Sequence, residues 1–215
     1  MKKIPALLLI LFAVAAGAWL GTTQKTPAPL KPDRIQGAIY PTAKELKGFE
    51  LQDQHKQKFS REDLLHHWSL IFVGYTHCPD VCPTTLAIMS KIDKIMREQD
   101  LQPPQIIFLT IDPERDTSEV IKPYIEYFNQ NFIGLTGPLD EISRFTLQLN
   151  AVFRKSAGAG GEITADNYLM DHSSALMLIN PDGDLQSILT APHSPGIVLE
   201  SILKSQTYYE FNHKE

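Results

Sequence analysis

Residues 69–85 read SLIFVGYTHCPDVCPTT. The first seven form a short continuous apolar run, the pattern of a strand buried on both faces. Pro83 suits the first turn of a helix, where its missing N–H costs nothing. Beyond it, Leu86, Met89, Ile92, Ile95 and Met96 recur at three- and four-residue steps and mark one apolar helical face. A buried strand therefore runs through a short loop into a helix, and the loop carries Cys78 and Cys82. Loops at the carboxyl ends of strands line the crevices where α/β proteins place their chemistry.

Strand and helix signals alternate outward from this unit. Residues 105–111 (QIIFLTI) read as a second buried strand, and residues 118–130 as a helix with Val120, Ile121, Tyr124, Ile125 and Phe128 on its apolar side. Pro123 fits that helix only in its first turn or at a kink. Residues 138–149 read as another helix. Residues 174–180 and 184–190 read as strands joined by the turn chemistry of Pro181-Asp182-Gly183, and residues 194–204 as a closing helix. Alternating elements predict an α/β fold with crossover units around a central sheet, and the final hairpin makes that sheet mixed. The domain is placed at residues 45–215. Residues 21–44, with Pro27, Pro29, Pro32 and Pro41, read as a linker.

Residues 1–20 put Lys2 and Lys3 ahead of an uncharged apolar run over residues 4–20, a positive n-region followed by an h-region. The run is read as a retained single anchor in the inner (cytoplasmic) membrane. Ala16-Gly17-Ala18 is the alternative, a cleavage site. Either way the lysines stay in the cytoplasm and the folded part faces the periplasm, where disulfides form.

Of the 215 residues, 43% are hydrophobic and 21% charged, enough apolar material for a substantial core and far from a disordered composition. The net charge of -5 is unrelieved by any basic run, so no nucleic-acid partner is expected.

The only two cysteines form a C-x3-C pair. On a first helical turn both would face one side, and the N–H groups of a helix start favour thiolate over thiol. Three readings fit the pair: a structural disulfide, a thiol–disulfide exchanger (for which C-x2-C is the usual spacing), and a soft-metal site. The last needs a further ligand, and two thiolates with an imidazole suit copper or zinc. Of the seven histidines, His55, His66, His67, His193 and His213 lie in polar turns, loops or the tail. His77 adjoins Cys78, and neighbouring backbone positions rarely let both side chains reach one ion. His172 stands just before an apolar strand, where a lone histidine is usually structural.

Three blocks together resemble the SCO/SenC family of copper proteins involved in cytochrome c oxidase assembly: residues 74–83 (GYTHCPDVCP), residues 111–117 (IDPERDT) with residues 132–137 (FIGLTG), and residues 171–174 (DHSS) with residues 180–183 (NPDG). The resemblance spans roughly residues 48–205. It implies a thioredoxin-like fold with an added N-terminal hairpin, and copper, as Cu(I) or Cu(II), bound by Cys78, Cys82 and His172. It further implies a metallochaperone rather than an enzyme, with the copper-bearing subunit of cytochrome c oxidase as partner. The alternative is a membrane-tethered thiol–disulfide oxidoreductase or redox sensor using Cys78 and Cys82 as a redox-active disulfide.

Asp80 is expected either to tune the pair or to be a solvated turn residue. Asp171 is expected to orient His172 or to pair with another group. Arg115 is expected to fix its loop by pairing with Asp112 or Asp116. The chain departs from the family at His55-Lys56, where a glycine-containing hairpin turn is usual, and at His66-His67-Trp68, which replaces a more typical Gly-Lys-Trp.

Overall fold

The computed structural model describes residues 35–158, 161, 163–164 and 167–213. The anchor expected at residues 1–20 and most of the expected linker lie outside these residues. Among the described residues, no helix is long and apolar enough to cross a membrane.

The central strand is β4 (Ser69–Gly74), buried at all six positions. It pairs in parallel with β5 (Gln105–Thr110) on one side and antiparallel with β9 (Leu176–Ile179) on the other. Outward from β5 come parallel β6 (Ile133–Thr136) and then the antiparallel hairpin of β2 (Glu50–Asp53) and β3 (Lys58–Ser60). Outward from β9 come antiparallel β10 (Leu185–Leu189) and β1 (Gly37–Lys44). The eight-stranded order is β1-β10-β9-β4-β5-β6-β2-β3. A separate ribbon pairs β7 (Phe153–Ala157) with β8 (Tyr168–His172).

Among the described residues, four α-helices flank the sheet: α1 (Val81–Glu98), α2 (Ser118–Phe128), α3 (Leu139–Gln148) and α4 (Pro195–His213). Helix α1 packs on α4, α2 on β6, α3 on β2 and α4 on β10. This is the expected mixed-sheet, thioredoxin-like architecture, and β2–β3 is the added hairpin.

The sequence reading did not contain the β7–β8 ribbon, and three further features differ from it. Residues 37–44, assigned to the linker, are strand β1. Only Ile39 is buried there, so the strand has no periodic signal, and its register shifts between Ile39 and Lys44, around Pro41. An edge position tolerates that proline. Helix α4 runs nine residues beyond its expected end, because Tyr208 donates to the Pro41 carbonyl (3.3 Å) and Tyr209 stands edge-on to Trp68 (5.3 Å) and donates to Asp182 (2.8 Å). Pro123 lies in the second turn of α2 rather than its first.

The two departures from the family fall on left-handed backbone. Lys56 has φ +62° in the β2–β3 turn, where Asp53 Oδ1 accepts from the His55 and Gln57 N–H groups (2.8 Å each). His66 has φ +68°, and its N–H donates to the Pro181 carbonyl (2.7 Å). A left-handed non-glycine residue costs about 1–2 kcal/mol, and the extra unfolded-state freedom of glycine offsets part of that. Lys56→Gly and His66→Gly are each expected to stabilise the protein by about 0.5 kcal/mol, raising Tm by about 1–2 °C in thermal unfolding. A fall in Tm for both would contradict this account of the turns.

Candidate metal centre

Strand β4 ends at Gly74, and six residues lead to α1. Cys78 lies in this loop, two residues before Asp80, which occupies the helix N-cap; Cys82 is the second residue of α1. The cysteines therefore do not share one helical turn. They converge because the loop folds back: the Cys78 N–H donates to the Tyr75 carbonyl, and the Cys82 N–H donates to Cys78 Sγ (3.3 Å each). A free N–H of the first helical turn thus points at a sulfur. Gly74 makes the close approach possible, since a Cβ there would stand 2.9 Å from Cys82 Sγ and 2.9 Å from Phe108 Cε2.

His172 is the last residue of β8, opposite Phe153 of β7, rather than the entrance residue of β9. Its ring meets Phe72 and Tyr75 edge-on, with centroids 6.2 and 6.1 Å away. Nδ1 lies 2.9 Å from the Ser173 carbonyl. A carbonyl only accepts, so Nδ1 carries the proton and Nε2 presents its lone pair. Nε2 is 3.8 Å from Cys82 Sγ. One ligand atom from each of Cys78, Cys82 and His172 lies within 4.8 Å of the others, and among the described residues this is the group of metal-ligating side chains so gathered.

The two thiols are free and unequal. Cys78 is half-buried, and its thiol is held down to about 4. The chief cause is the hydrogen bond from the Cys82 side chain, supported by the backbone N–H groups of Cys82 and Asp80, against the opposing effect of burial. Cys82 is fully buried, and its thiol is pushed up by its hydrogen bond to Cys78 and by burial. The two shifts run in opposite directions, so Cys78 is the sulfur that favours thiolate and Cys82 the one that favours thiol. A thiolate, a second sulfur and an imidazole at one half-exposed place form a soft donor set.

The structure separates the roles left open for the acidic residues. Asp171 does not orient His172. Adjacent strand residues point to opposite faces, and Asp171 accepts from Arg154 Nε (3.2 Å) and the Ser156 hydroxyl (3.0 Å) instead. The Ser173 carbonyl orients the imidazole. The Asp80 side chain is exposed and makes no cap to the helix backbone; it accepts from the Thr84 hydroxyl (3.4 Å). Arg115 pairs with Asp112 (2.5 Å). Asp116 takes a different role, accepting from the Thr76 N–H (2.9 Å), the Thr76 hydroxyl (2.5 Å) and the Thr110 hydroxyl (2.6 Å). His77 stands outside the cluster, with Nδ1 3.1 Å from the Thr76 hydroxyl and 3.8 Å from Asp116.

The SCO1/SenC family profile matches residues 38–206. The chain is 35% identical over 201 residues to the SCO2-like protein of Rickettsia felis, covering 92% of this chain and 94% of that relative. Among solved structures it is similar to Bradyrhizobium japonicum ScoI with copper bound (32% identity, TM-score 0.62, 75% of this chain and 98% of that one). It is likewise similar to Arabidopsis thaliana ScoI with copper bound (27% identity, TM-score 0.68, 76% and 98%).

Proposed function

The chain belongs to the SCO1/SenC family, and on that premise we propose that it is a copper metallochaperone of cytochrome c oxidase assembly. The observation that carries this reading is the convergence of Cys78, Cys82 and His172 within 4.8 Å. Two sulfurs select Cu(I), and the imidazole also admits Cu(II). With three protein ligands at a half-exposed site, an incoming ligand from the acceptor can enter before a donor bond breaks, so copper passes without release as a free ion. The acceptor in this reading is the copper-bearing subunit of the oxidase. Lys2, Lys3 and the apolar run over residues 4–20 support a tether in the inner membrane with the domain in the periplasm. A shared membrane raises the effective concentration of the two partners. The test loads the reduced full-length protein with one equivalent of Cu(I) and mixes it with the copper-free subunit. Copper found on the subunit supports delivery. Copper that stays on the donor in the presence of excess acceptor overturns it.

Copper binding also releases protons. Cys78 is already ionised near neutral pH, because its thiol lies far below that range; Cys82 is not, because its thiol is raised. Uptake of Cu(I) at pH 7 is expected to release about one proton, read by calorimetry in buffers of different ionisation enthalpy. Release of two protons would contradict the assignment of a thiolate to Cys78.

A second reading has its own observation: a half-exposed thiolate beside a buried thiol is arranged for disulfide exchange. Cys78 would attack an acceptor disulfide, and Cys82 would resolve the mixed disulfide, so two thiols are oxidised as one disulfide is reduced. His172 separates the readings. Exchange persists in His172→Ala, whereas copper binding does not.

A further inference from the structure

The three candidate ligands come from two pieces of chain that the sheet links through β9, which begins four residues after His172 and pairs with β4. Cys78 and Cys82 belong to the β4–α1 connection, and His172 to the β7–β8 ribbon, which pairs with no strand of the main sheet among the described residues. One short loop, residues 112–116, adds a side-chain tie that reaches both. On the cysteine side, the Asp116 carboxylate has no exposed surface and accepts the three bonds from Thr76 and Thr110. Thr76 is two residues before Cys78. The Asp116 N–H donates to the Asp112 carbonyl (2.9 Å), and the Asp116 carbonyl accepts from the Thr136 hydroxyl of β6 (3.0 Å), so the carboxylate is fixed to the core. On the histidine side, Asp112 is 1% exposed and accepts from the Tyr168 hydroxyl (2.6 Å) and Arg115 Nε (2.5 Å). The Arg115 guanidinium covers the Tyr168 ring at 3.6 Å. Tyr168 begins the strand that His172 ends.

We propose that residues 112–116 form a bracket that presets the spacing between the two sulfurs and the His172 imidazole, with Asp116 the positioning residue on the cysteine side and Asp112, through Tyr168, on the histidine side. This rests on the reading of Cys78, Cys82 and His172 as a metal site. The bracket is stiff because release of any one donor leaves a buried acceptor short of a partner. Stiffness matters there because a metal site loses affinity when its ligands must be gathered at the moment of binding.

The test uses the reduced full-length protein in detergent and a chromophoric Cu(I) chelator as competitor. Asp116→Asn and Tyr168→Phe are each expected to weaken Cu(I) binding about 10- to 100-fold, the range for residues that orient ligands without touching the metal. Each should also shift the sulfur-to-copper charge-transfer band of the Cu(II) form. The control is Asp93→Asn. Asp93 is also a buried carboxylate, held by Arg97 and Asn129, but it lies eleven residues along α1 from Cys82, ~16 Å away. It should lower thermal stability and leave affinity within about threefold of the parent. Parent-like affinity and spectrum in both bracket variants, or an equal loss in Asp93→Asn, overturns the proposal. A parent that binds no copper defeats the reading of the site instead. Amide exchange in the metal-free protein then decides the bracket: the Thr76 N–H should exchange at least ~10-fold faster in Asp116→Asn, and unchanged exchange overturns it.

Discussion

His172→Ala is expected to lower the affinity of the reduced protein for Cu(I) by at least ~100-fold. Residues that merely orient a ligand cost 10- to 100-fold when lost, and removal of the ligand itself should cost no less. Nδ1 is committed to the Ser173 carbonyl, which leaves Nε2 as the free lone pair, 3.8 Å from Cys82 Sγ. Alanine would leave two sulfurs, with no third donor gathered beside them among the described residues. His77→Ala provides the contrast. His77 adjoins Cys78, but its Nδ1 is engaged with the Thr76 hydroxyl and the Asp116 side. Its loss should change affinity by less than about threefold. Competition against a chromophoric chelator under anaerobic conditions measures both. Equal binding by parent and His172→Ala would remove the histidine from the site.

Phe108→Ala carries the largest expected effect on stability. Phe108 sits in β5 with no exposed surface, its ring 6.3 Å from Phe72 and 5.7 Å from Tyr124. Truncating a fully buried phenylalanine costs about 3–5 kcal/mol, as transfer free energy and residual cavity. For a domain of this size that lowers Tm by roughly 10 °C. The cavity would open beside the cysteines, because the Phe108 ring packs against Gly74 where Cys82 Sγ also lies. Copper affinity should therefore fall with stability, which a core truncation away from the site would not cause. Thermal and urea unfolding of the metal-free protein measure the first effect. A loss below about 1 kcal/mol would contradict the packing described here.

The elements legible in the sequence are those whose pattern follows from burial. Strand β4 is apolar because both faces are covered by α/β crossovers, and α1 shows its stripe because one side packs on the core. The elements that escaped notice lack such a pattern. Strand β1 has a proline and one buried residue, and β7 sets adjacent exposed Arg154 and Lys155 between half-buried Phe153 and Ser156. Missing the β7–β8 ribbon placed His172 correctly in sequence but on the wrong element. The candidate ligand set was legible through its residue types and the family resemblance. The bond between Thr76 and Asp116 was not, because the two residues are forty positions apart. The DPERD segment offered a signal only in being acidic at a strand end, which does not say which carboxylate points inward. His66 and Lys56 were legible as departures, and their left-handed backbone explains why glycine is usual at those positions.

The central claim is that copper sits on Cys78, Cys82 and His172, and X-ray absorption at the copper edge tests it most directly. The reduced full-length protein, loaded with one equivalent of Cu(I), is predicted to show two sulfur neighbours and one nitrogen neighbour, with the nitrogen lost in His172→Ala and one sulfur lost in Cys78→Ser. A shell of nitrogen and oxygen alone, or a two-sulfur shell that His172→Ala leaves unchanged, would contradict it.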